Sequence, residues 1–327
     1  MSRTLNGFRV LVTGGAGFIG SSLIESLLRS RNYVVCLDNF STGKSENLKE
    51  FVNSPDFRLI EGDIRNEQDC EKAVKDIDFV FHQAALGSVP RSLKDPVSTT
   101  DVNIGGFVKM LYASKEAGVK RFIYAASSST YGDLPDLPKV EEKIGKPMSP
   151  YGITKYVNEL FAENFAAVYG IETIGLRYFN VFGRRQDPMG SYAAVIPLFV
   201  RHLMKHESPV INGNGTFSRD FTYVENVVQA NHLAAVVNNK SAVNQIYNIA
   251  FGERTTLNEL FDMIRGMIGF YDRKALKVNP VYGPERPGDI PHSLASIKKA
   301  ERLLGYRPTH NVREGLTESI NWYRYNL

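Results

Sequence analysis

The sequence predicts an α/β protein: a doubly wound parallel sheet followed by a smaller, loop-rich C-terminal part. Three observations support this prediction. Short apolar runs alternate with stretches of helical periodicity over the first 180 residues. The first of these runs leads through a glycine-rich turn into a helix pattern. After Asn180 the amino-acid composition changes: residues 183–222 are rich in glycine, proline and asparagine.

The glycine-rich turn lies in residues 9–20, RVLVTGGAGFIG. We expect Gly14 to permit a tight turn, Gly17 to let a pyrophosphate approach the backbone, and Gly20 to let helix and strand pack closely. Strand, turn and helix in this order begin a Rossmann-type dinucleotide-binding unit, in which helix N-terminal amides hold the pyrophosphate. The second strand ends at Asp38, whose carboxylate would bind the adenosine ribose and repel a 2′-phosphate. We therefore expect NAD rather than NADP.

The remaining elements continue the alternation. Strands are predicted at 8–12, 33–37, 57–61, 78–82, 121–126 and 173–178, and helices near 17–30, 66–76, 96–117 and 150–168. In such sheets ligands bind beyond the carboxyl ends of the strands. We predict an NAD-binding domain over residues 1–180 and a substrate-binding domain over 181–327, with segments near 224–250 returning to the main sheet.

The composition argues against several functional classes. The 327 residues are 43% hydrophobic, which suffices for a full core, and the net charge is only +4 without a basic block, so nucleic acid is not an expected partner. We see neither a signal peptide nor a membrane-spanning run, and expect a cytoplasmic protein. Cys36 and Cys70 lack metal or disulfide spacing. His202 and His206 are four residues apart, but Leu203 stands where a zinc-protease helix needs glutamate, so no metal is expected.

A candidate catalytic group follows the fifth strand. That strand ends in a run of serines at 127–129, and the next helix opens with SPYGITK at 149–155. Tyr151 and Lys155 are four residues apart and project from one face of this helix. The ammonium, together with a positive nicotinamide ring, would lower the pKa of the tyrosine and make it a base. Such a pair alone is usually a surface feature; after a dinucleotide-binding fold it indicates catalysis.

Further segments carry a family resemblance over essentially the whole chain. They are TGGAGFIG (13–20), DNFSTG (38–43), GDIR (62–65), HQAA (82–85), SSSTYGD (127–133), SPYGITK (149–155), LRYFNVFGRRQDP (176–188), SRDFTYVENV (218–227) and RPGD (286–289). With them the chain resembles the extended short-chain dehydrogenase/reductases, and above all the nucleotide-sugar 4-epimerases that act on UDP-N-acetylglucosamine. The resemblance implies that Tyr151 is the base, that Lys155 tunes it and orients the ribose, and that Ser127 contacts the sugar's 4-oxygen.

Two serines argue against the neighbouring reactions of this family. The 4,6-dehydratases carry Asp-Glu directly after the catalytic hydroxyl residue, and the decarboxylases place a glutamate nearby. Ser128 and Ser129 stand at those positions here, and a serine cannot abstract the C5 proton. Epimerisation through a transient 4-keto sugar remains, with NAD regenerated in each turnover and therefore able to stay bound.

The resemblance also implies the other contacts. The expected cofactor-binding residues are Gly14, Gly17, Phe18, Ile19, Asp38, Asn39, Phe40, Ser41, Gly43, Asp63, Ile64, Ala84, Ala85, Leu86, Tyr151, Lys155 and Tyr178. The expected UDP-sugar-binding residues are Gly87, Ser88, Ser127, Ser128, Ser129, Asn180, Ala194, Val195, Arg219, Arg286 and Ser293. Arg219 and Arg286 would clamp the diphosphate, because a guanidinium matches phosphate oxygens. For Asn103 two roles stay open: contact with NAD, or stabilisation of a helix kink.

Two small residues suggest the substrate. Gly87 stands where glucose/galactose epimerases typically carry lysine, and Ser293 where enzymes limited to non-acetylated sugars carry a larger aromatic residue. By this resemblance we expect UDP-GlcNAc and UDP-GalNAc. Alternatives are a UDP-glucose/UDP-galactose 4-epimerase, a related enzyme modifying nucleotide sugars, or a nucleotide-sensing protein that has lost catalysis. Helices 96–117 and 150–168 carry apolar residues on more than one face, which predicts a homodimer as in the family.

Overall fold

The structure is a computed structural model that describes residues 4–189, 193–285 and 290–326. The strands are β1 (Arg9–Thr13), β2 (Tyr33–Asp38), β3 (Phe57–Glu61), β4 (Phe79–His82), β5 (Arg121–Ser127), β6 (Glu172–Tyr178), β7 (Val181–Phe182), β8 (Val210–Asn212), β9 (Ser218–Arg219), β10 (Thr222–Tyr223), β11 (Gln245–Ile249), β12 (Thr255–Thr256) and β13 (Val281–Gly283). The helices are α1 (Phe18–Arg29), α2 (Glu67–Val74), α3 (Val89–Lys94), α4 (Pro96–Thr100), α5 (Phe107–Glu116), α6 (Pro150–Tyr169), α7 (Val195–Met204), α8 (Val224–Val236), α9 (Leu257–Tyr271), α10 (Lys298–Leu304) and α11 (Val312–Asn326).

A parallel sheet in the order β3-β2-β1-β4-β5-β6-β11 confirms the predicted doubly wound fold. The six predicted strands are all present, with ends within one residue of the prediction. The seventh strand, β11, comes from the segment expected to return and pairs with β6. The strand order reverses between β1 and β4, and at such a reversal the loops after neighbouring strands part and leave a ligand-binding crevice.

Apolar side chains cover both faces of the sheet. Leu23 and Leu27 of α1 pack with Val227 of α8 on one face. Met110 of α5 and Phe165 of α6 belong to the cluster on the other face, which α2 also joins. Strands buried on both faces read as the continuous apolar runs seen in the sequence, because there is no solvent-facing side to take polar residues.

The predicted helix 96–117 is present but not regular. It consists of α4, a π-helical turn at 101–106 and α5. Inside the turn, Asn103 bonds to both backbone groups of Leu86, accepting from its amide at 2.8 Å and donating to its carbonyl at 3.2 Å. The same amide donates to the Thr154 hydroxyl on α6 at 3.1 Å. Asn103 therefore lies in the irregular turn and links the loop after β4 to α6, and its contact with NAD stays a prediction.

The part of the chain beyond residue 180 has its own apolar cluster. It gathers side chains of α7, α9 and α11, among them Phe199, Phe261 and Leu316. Three two-stranded sheets, β7 with β10, β9 with β12 and β8 with β13, connect the intervening loops. The domain boundary at residue 180 stays a prediction. Within the described ranges, no helix combines the length and apolar character that crossing a membrane requires.

Candidate active site

Ser127, Tyr151 and Lys155 come together where β5 ends. The Ser149 hydroxyl caps the start of α6 by accepting a hydrogen bond from the Gly152 amide at 3.1 Å. This starts the helix beside the end of β5, where the Ser127 side chain lies near Tyr151 and acts to lower its pKa. One turn on, the Lys155 Nζ lies 5.9 Å from the centre of the Tyr151 ring. The three residues expected to be catalytic are thus neighbours.

Burial dominates the electrostatics of this group. It raises the pKa of Tyr151, and the hydrogen bond to Ser127 opposes that shift. Burial also lowers the pKa of Lys155 to about 8, against the opposing effect of the Glu159 carboxylate. The Lys155 Nζ donates to the Ala125 carbonyl oxygen at 2.7 Å. The pKa of Tyr151 is therefore shifted opposite to the direction expected from the Tyr-Lys spacing, because desolvation dominates and the Lys155 ammonium is hydrogen-bonded to the Ala125 carbonyl.

The serine run has an ordered internal arrangement. Ser127 caps a short 3-10 turn over residues 128–131, and its Oγ accepts hydrogen bonds from the Ser129 amide at 3.1 Å and the Ser129 hydroxyl at 2.8 Å. Ser129 thereby leaves the Ser127 hydroxyl proton free to point towards another acceptor. Ser128 and Ser129 are half-buried. The geometry favours Ser127 as the serine that acts with Tyr151.

A cleft of about 100 Å³ opens at the strand reversal between β1 and β4. Of the expected cofactor-binding residues, it is lined by Gly14, Gly17, Asp38, Asn39, Ser41, Gly43, Asp63, Ile64, Ala84, Ala85 and Leu86. The lining residues that sequence reasoning missed are Leu37, Thr42, Gly62, Gln83 and Val102. Most of these are direct neighbours of expected ones at strand ends, so the strand-end rule could have found them.

The glycine turn fits a dinucleotide. Gly14 has a φ of +68°, and a Cβ there would lie 2.7 Å from the Ala84 amide nitrogen. A Cβ on Gly20 would collide with the Gly14 carbonyl oxygen, so strand and helix could not pack this closely. Helix α1 begins at Phe18 with Gly17 as its cap residue, which has no side chain to occupy the first amides. These amides are therefore available to a pyrophosphate.

The Asp38 carboxylate could accept hydrogen bonds from a cofactor ribose. One of its carboxylate oxygens accepts a hydrogen bond from the Ala16 amide and the other from the Phe40 amide, both at 2.8 Å. Each oxygen has a second lone pair, so both can still accept from a ribose hydroxyl. Burial raises the pKa of Asp38, and the two amide bonds oppose that shift. Asp63 is joined to this loop by Asn39, which donates to it at 2.8 Å, and the Arg65 guanidinium lowers the pKa of Asp63 to about 2.

Other expected cofactor residues do not line this cleft. The side chains of Phe18, Ile19 and Phe40 pack against the apolar clusters, so only their backbone groups could serve a cofactor. Tyr151 and Lys155 lie at the end of β5. Tyr178 is buried, and its hydroxyl donates to Gln83 at 3.2 Å and accepts from Asn231 at 2.9 Å.

A second cavity, of about 400 Å³, lies between the end of β6 and α7. Asn180, Ala194, Val195 and Arg219 line it, as expected for UDP-sugar contacts. Sequence reasoning missed the rest of its wall: Val181, Phe182, Gln186, Ala193, Ile196, Leu198, Phe199, His202, Ser208, Pro209, Val210, Ile211, Asn212, Phe217, Phe221 and Leu257. This wall is mostly apolar with a few polar groups, a composition typical of pockets for flat ring systems.

The polar side of this cavity is held by backbone contacts. Asn180 has a φ of +36° and donates its side-chain amide to the Asp220 carbonyl at 3.0 Å. The Arg219 guanidinium donates to the carbonyl oxygens of Ser218 and Pro291, each at 3.1 Å. Both side chains are therefore fixed by the 218–220 segment.

Three other expected substrate residues, Gly87, Ser88 and Ser293, do not line either cavity. Gly87 is exposed with open space beyond its Cα, and Ser88 caps α3 by accepting from the Arg91 amide at 3.3 Å. Ser293 is half-buried, and its amide donates to the Ser218 carbonyl at 3.0 Å. Arg286 lies outside the described residues.

The two histidines that were considered as a metal pair do not share a helix. Helix α7 ends at Met204, and His206 has a φ of +57°. The His202 ring pairs with Glu207 at 3.1 Å, and the His206 ring pairs with Asp272. Across residues 4–189, 193–285 and 290–326, no cluster of three histidine, cysteine, aspartate or glutamate side chains could hold a metal ion.

Comparison with known proteins agrees with this geometry. Residues 10–250 match the NAD dependent epimerase/dehydratase family. A putative UDP-glucose 4-epimerase of Methanocaldococcus jannaschii is 39% identical over 97% of this chain and 99% of its own. The UDP-N-acetylglucosamine 4-epimerase of Methanobrevibacter ruminantium M1, solved with UDP-N-acetylmuramic acid, superposes with a TM-score of 0.92 at 39% identity, covering 99% and 100% of the two chains. The UDP-glucose 4-epimerase of Thermotoga maritima, solved with UDP-glucose, gives 0.89 at 37% identity, covering 97% and 99%.

Proposed function

Because this chain belongs to the NAD dependent epimerase/dehydratase family, we propose that it interconverts UDP-GlcNAc and UDP-GalNAc by epimerisation at C4. The coarser activity, 4-epimerisation of a nucleotide sugar with NAD as cofactor, is supported by the family and by the similar epimerases. The observation that carries the proposal is that Ser127 and Tyr151 come together where β5 ends, with the Ser127 side chain acting on the pKa of Tyr151 and the Lys155 Nζ 5.9 Å from the Tyr151 ring centre. A proton acceptor and an orienting hydroxyl would then both reach the 4-oxygen of a bound sugar.

The roles of the residues follow from this contact. Bound NAD⁺ supplies the chemistry of accepting a hydride from C4 and returning it to the other face of the sugar. Tyr151 takes the proton of the C4 hydroxyl and later gives it back, and Ser127 holds the 4-oxygen in line. Lys155, held by the Ala125 carbonyl, places a positive charge beside the tyrosine ring. Ser128 and Ser129 offer no carboxylate to remove a C5 proton, which favours epimerisation over elimination.

The acetylated substrate is supported by Ser293. Its side chain is small and half-buried, and its segment is bonded to Ser218 beside Arg219. A residue of this size leaves room for a 2-acetamido group. The competing substrate is UDP-glucose, which the same polar residues could also hold.

The test is incubation of the purified protein with UDP-GlcNAc, without added cofactor, followed by separation of the products. We expect UDP-GalNAc to accumulate to an equilibrium mixture. A parallel incubation with UDP-glucose decides the substrate: faster turnover of UDP-glucose would refute the acetylated preference while leaving 4-epimerisation intact. Turnover of neither nucleotide sugar would refute the proposed function.

We also propose a homodimer formed through α5 and α6. Large apolar side chains are exposed on these neighbouring helices, among them Tyr112 (50%), Leu160 (46%) and Val168 (61%). A second copy would remove them from water, and non-polar burial is the main driving force for such association. Sedimentation at micromolar concentration tests this, with Val168→Glu expected to give monomers. Phe270→Glu, which changes a still more exposed residue on α9, should leave the dimer intact.

A further inference from the structure

A buried carboxylate lies directly behind the substrate cavity. Asp220 is fully buried, between Arg219 of β9 and the start of β10. Its Oδ1 accepts hydrogen bonds from the amides of Phe251 and Gly252, each at 3.2 Å, and its Oδ2 accepts from Gly252 at 3.1 Å and from Ala295 at 3.2 Å. A carboxylate with three backbone donors is a strong, charge-assisted anchor.

These donors belong to two separate segments. Phe251 and Gly252 follow β11, and Ala295 lies two residues after Ser293. The backbone carbonyl of Asp220 accepts the side chain of Asn180 at 3.0 Å. One residue therefore contacts or adjoins three expected UDP-sugar contacts: Asn180 through its carbonyl, Arg219 through the chain, and Ser293 through Ala295.

The segment that contains Ser293 is held from both sides. On one side, the Ser218 amide donates to the Pro291 carbonyl and the Ser293 amide to the Ser218 carbonyl, each at 3.0 Å. On the other side, the Lys139 amide donates to the Leu294 carbonyl at 2.7 Å, and the Ser296 amide to the Lys139 carbonyl at 2.9 Å. Asp220 adds the only bond in this set that carries a full charge. Asp220 thus adds one charge-assisted bond to the four neutral bonds that hold Ser293 beside Arg219.

We propose that Asp220 is a positioning residue of the UDP-sugar site, whose carboxylate holds segment 291–296 and turn 251–252 so that Arg219 and Ser293 face the substrate. This inference rests on the proposed function. It predicts that loss of the carboxylate weakens binding of the nucleotide sugar and leaves NAD binding unchanged, because the cofactor cleft is built from other strands.

The protonation state of Asp220 gives this proposal a signature in pH. Burial raises its pKa to about 7, the three amide bonds oppose the shift, and the carboxylate of Glu253 adds to it. Two further titratable groups lie nearby: Tyr306, whose pKa is raised by burial and which stays neutral, donates to the Ala250 carbonyl at 2.9 Å, and the His292 ring on the held segment is hydrogen-bonded to the Ser218 hydroxyl at 2.9 Å. Below pH 7 the Asp220 carboxyl becomes protonated. It then has one acceptor site fewer for the three backbone amides that donate to it. Affinity for the nucleotide sugar should therefore fall as the pH drops through 7.

The experiment is calorimetric titration of UDP-GlcNAc, and separately of UDP-glucose, into Tyr151→Phe protein at about pH 6 and about pH 8, on either side of the titration. Tyr151→Phe prevents turnover during the titration. The comparison adds Asp220→Asn to this background, since asparagine keeps the shape but offers one acceptor oxygen. We expect Asp220→Asn to raise the Kd at pH 8 on the order of tenfold, as for one charge-assisted hydrogen bond, and to abolish the pH dependence. NAD content should stay unchanged.

Asn226→Ala is the matched control. Asn226 is equally buried and tethers a different turn, donating to the His310 carbonyl at 2.7 Å and accepting from the Thr309 amide at 2.8 Å. It should lower thermal stability without changing the Kd. An Asp220→Asn protein with unaltered Kd at both pH values would overturn the inference. If Asp220→Asn does not fold, the pH dependence of the Kd in the Tyr151→Phe protein is the test. A Kd that is the same at both pH values would then overturn the inference. Failure of both nucleotide sugars to bind protein with Asp220 intact would instead refute the proposed function.

Discussion

Replacing Glu159 by glutamine should destabilise the fold and lower the pKa of Lys155, the proposed catalytic lysine. Glu159 on α6 and Arg177 on β6 form an ion pair with two hydrogen bonds of 2.8 Å, and both side chains are only 3% exposed. The Arg177 guanidinium also donates to the Glu141 carbonyl at 3.1 Å and lies 4.8 Å from the centre of the Tyr131 ring. Glutamine keeps the shape of Glu159 but leaves Arg177 as an uncompensated buried charge.

The expected loss is about 3 kcal/mol in the free energy of unfolding, the lower end for breaking a buried pair, because the amide oxygen still accepts one hydrogen bond. For a chain of this size that corresponds to a fall in Tm of about 4 °C. Thermal unfolding followed by circular dichroism measures it.

A second effect concerns Lys155, whose pKa of about 8 includes an upward contribution from Glu159. Without that carboxylate the pKa of Lys155 should fall further. The ammonium stabilises the ionised base while it is protonated, so activity should be lost as the pH rises through the lysine pKa, and in Glu159→Gln at a lower pH than in the wild type. The pH profile of kcat measures this shift.

Glu163→Gln is the control, since Glu163 lies one turn further along α6 and is exposed. It should alter neither Tm nor the pH profile. The double variant Glu159→Leu/Arg177→Met should be more stable than either single variant, because it leaves no unpaired charge. A Glu159→Gln protein with wild-type Tm and an unshifted profile would refute the reasoning.

Three further substitutions test the site. Tyr151→Phe should lower kcat by about a thousandfold, within the range for loss of a general base, while UDP binding persists. The control, Tyr156→Phe on the same helix, should keep near-normal turnover. Equal losses of kcat in the two variants would contradict the assignment of Tyr151 as the base. Asp38→Asn should lower NAD affinity about tenfold and narrow the preference over NADP, measured by nucleotide retention, and an unchanged ratio of the two affinities would count against the ribose contact. Ser293→Tyr should suppress turnover of UDP-GlcNAc and spare UDP-glucose in a paired assay; equal losses for both sugars would argue against the pocket interpretation.

Local sequence patterns predicted the features that depend on a few neighbouring residues. The apolar runs located every strand up to β6, and the glycine spacing located the crevice, because both reflect requirements of one short segment. The Tyr151–Lys155 spacing likewise predicted a shared helix face. Its effect on the pKa of Tyr151 was not predictable, since that depends on burial and on the Ala125 carbonyl, which belongs to another element.

Features assembled from distant segments were not predictable in this way. The apolar wall of the second cavity draws on β7, α7 and β8, and each of its residues taken alone is typical of an ordinary core. Asp220 stands inside the motif SRDFTYVENV, yet its three donors lie more than thirty residues further on along the chain. The spacing of residues within a short segment does not predict such a long-range contact. The roles of Arg286 and of the other residues at 286–289 stay predictions.

The wide turn around Asn103 constrains how this region can change in length. A π-helical turn holds one residue more than an α-helical turn, so the helices on either side keep their facing while the extra residue bulges outward. Deleting a single residue from 101–106 would restore a regular helix, and α4 and α5 could still pack as before. The side-chain amide of Asn103, however, would rotate away from Leu86 and Thr154. A shortened chain would thus retain its fold but lose the hydrogen bonds through which Asn103 connects Leu86, at the cofactor cleft, to α6, the helix that carries Tyr151.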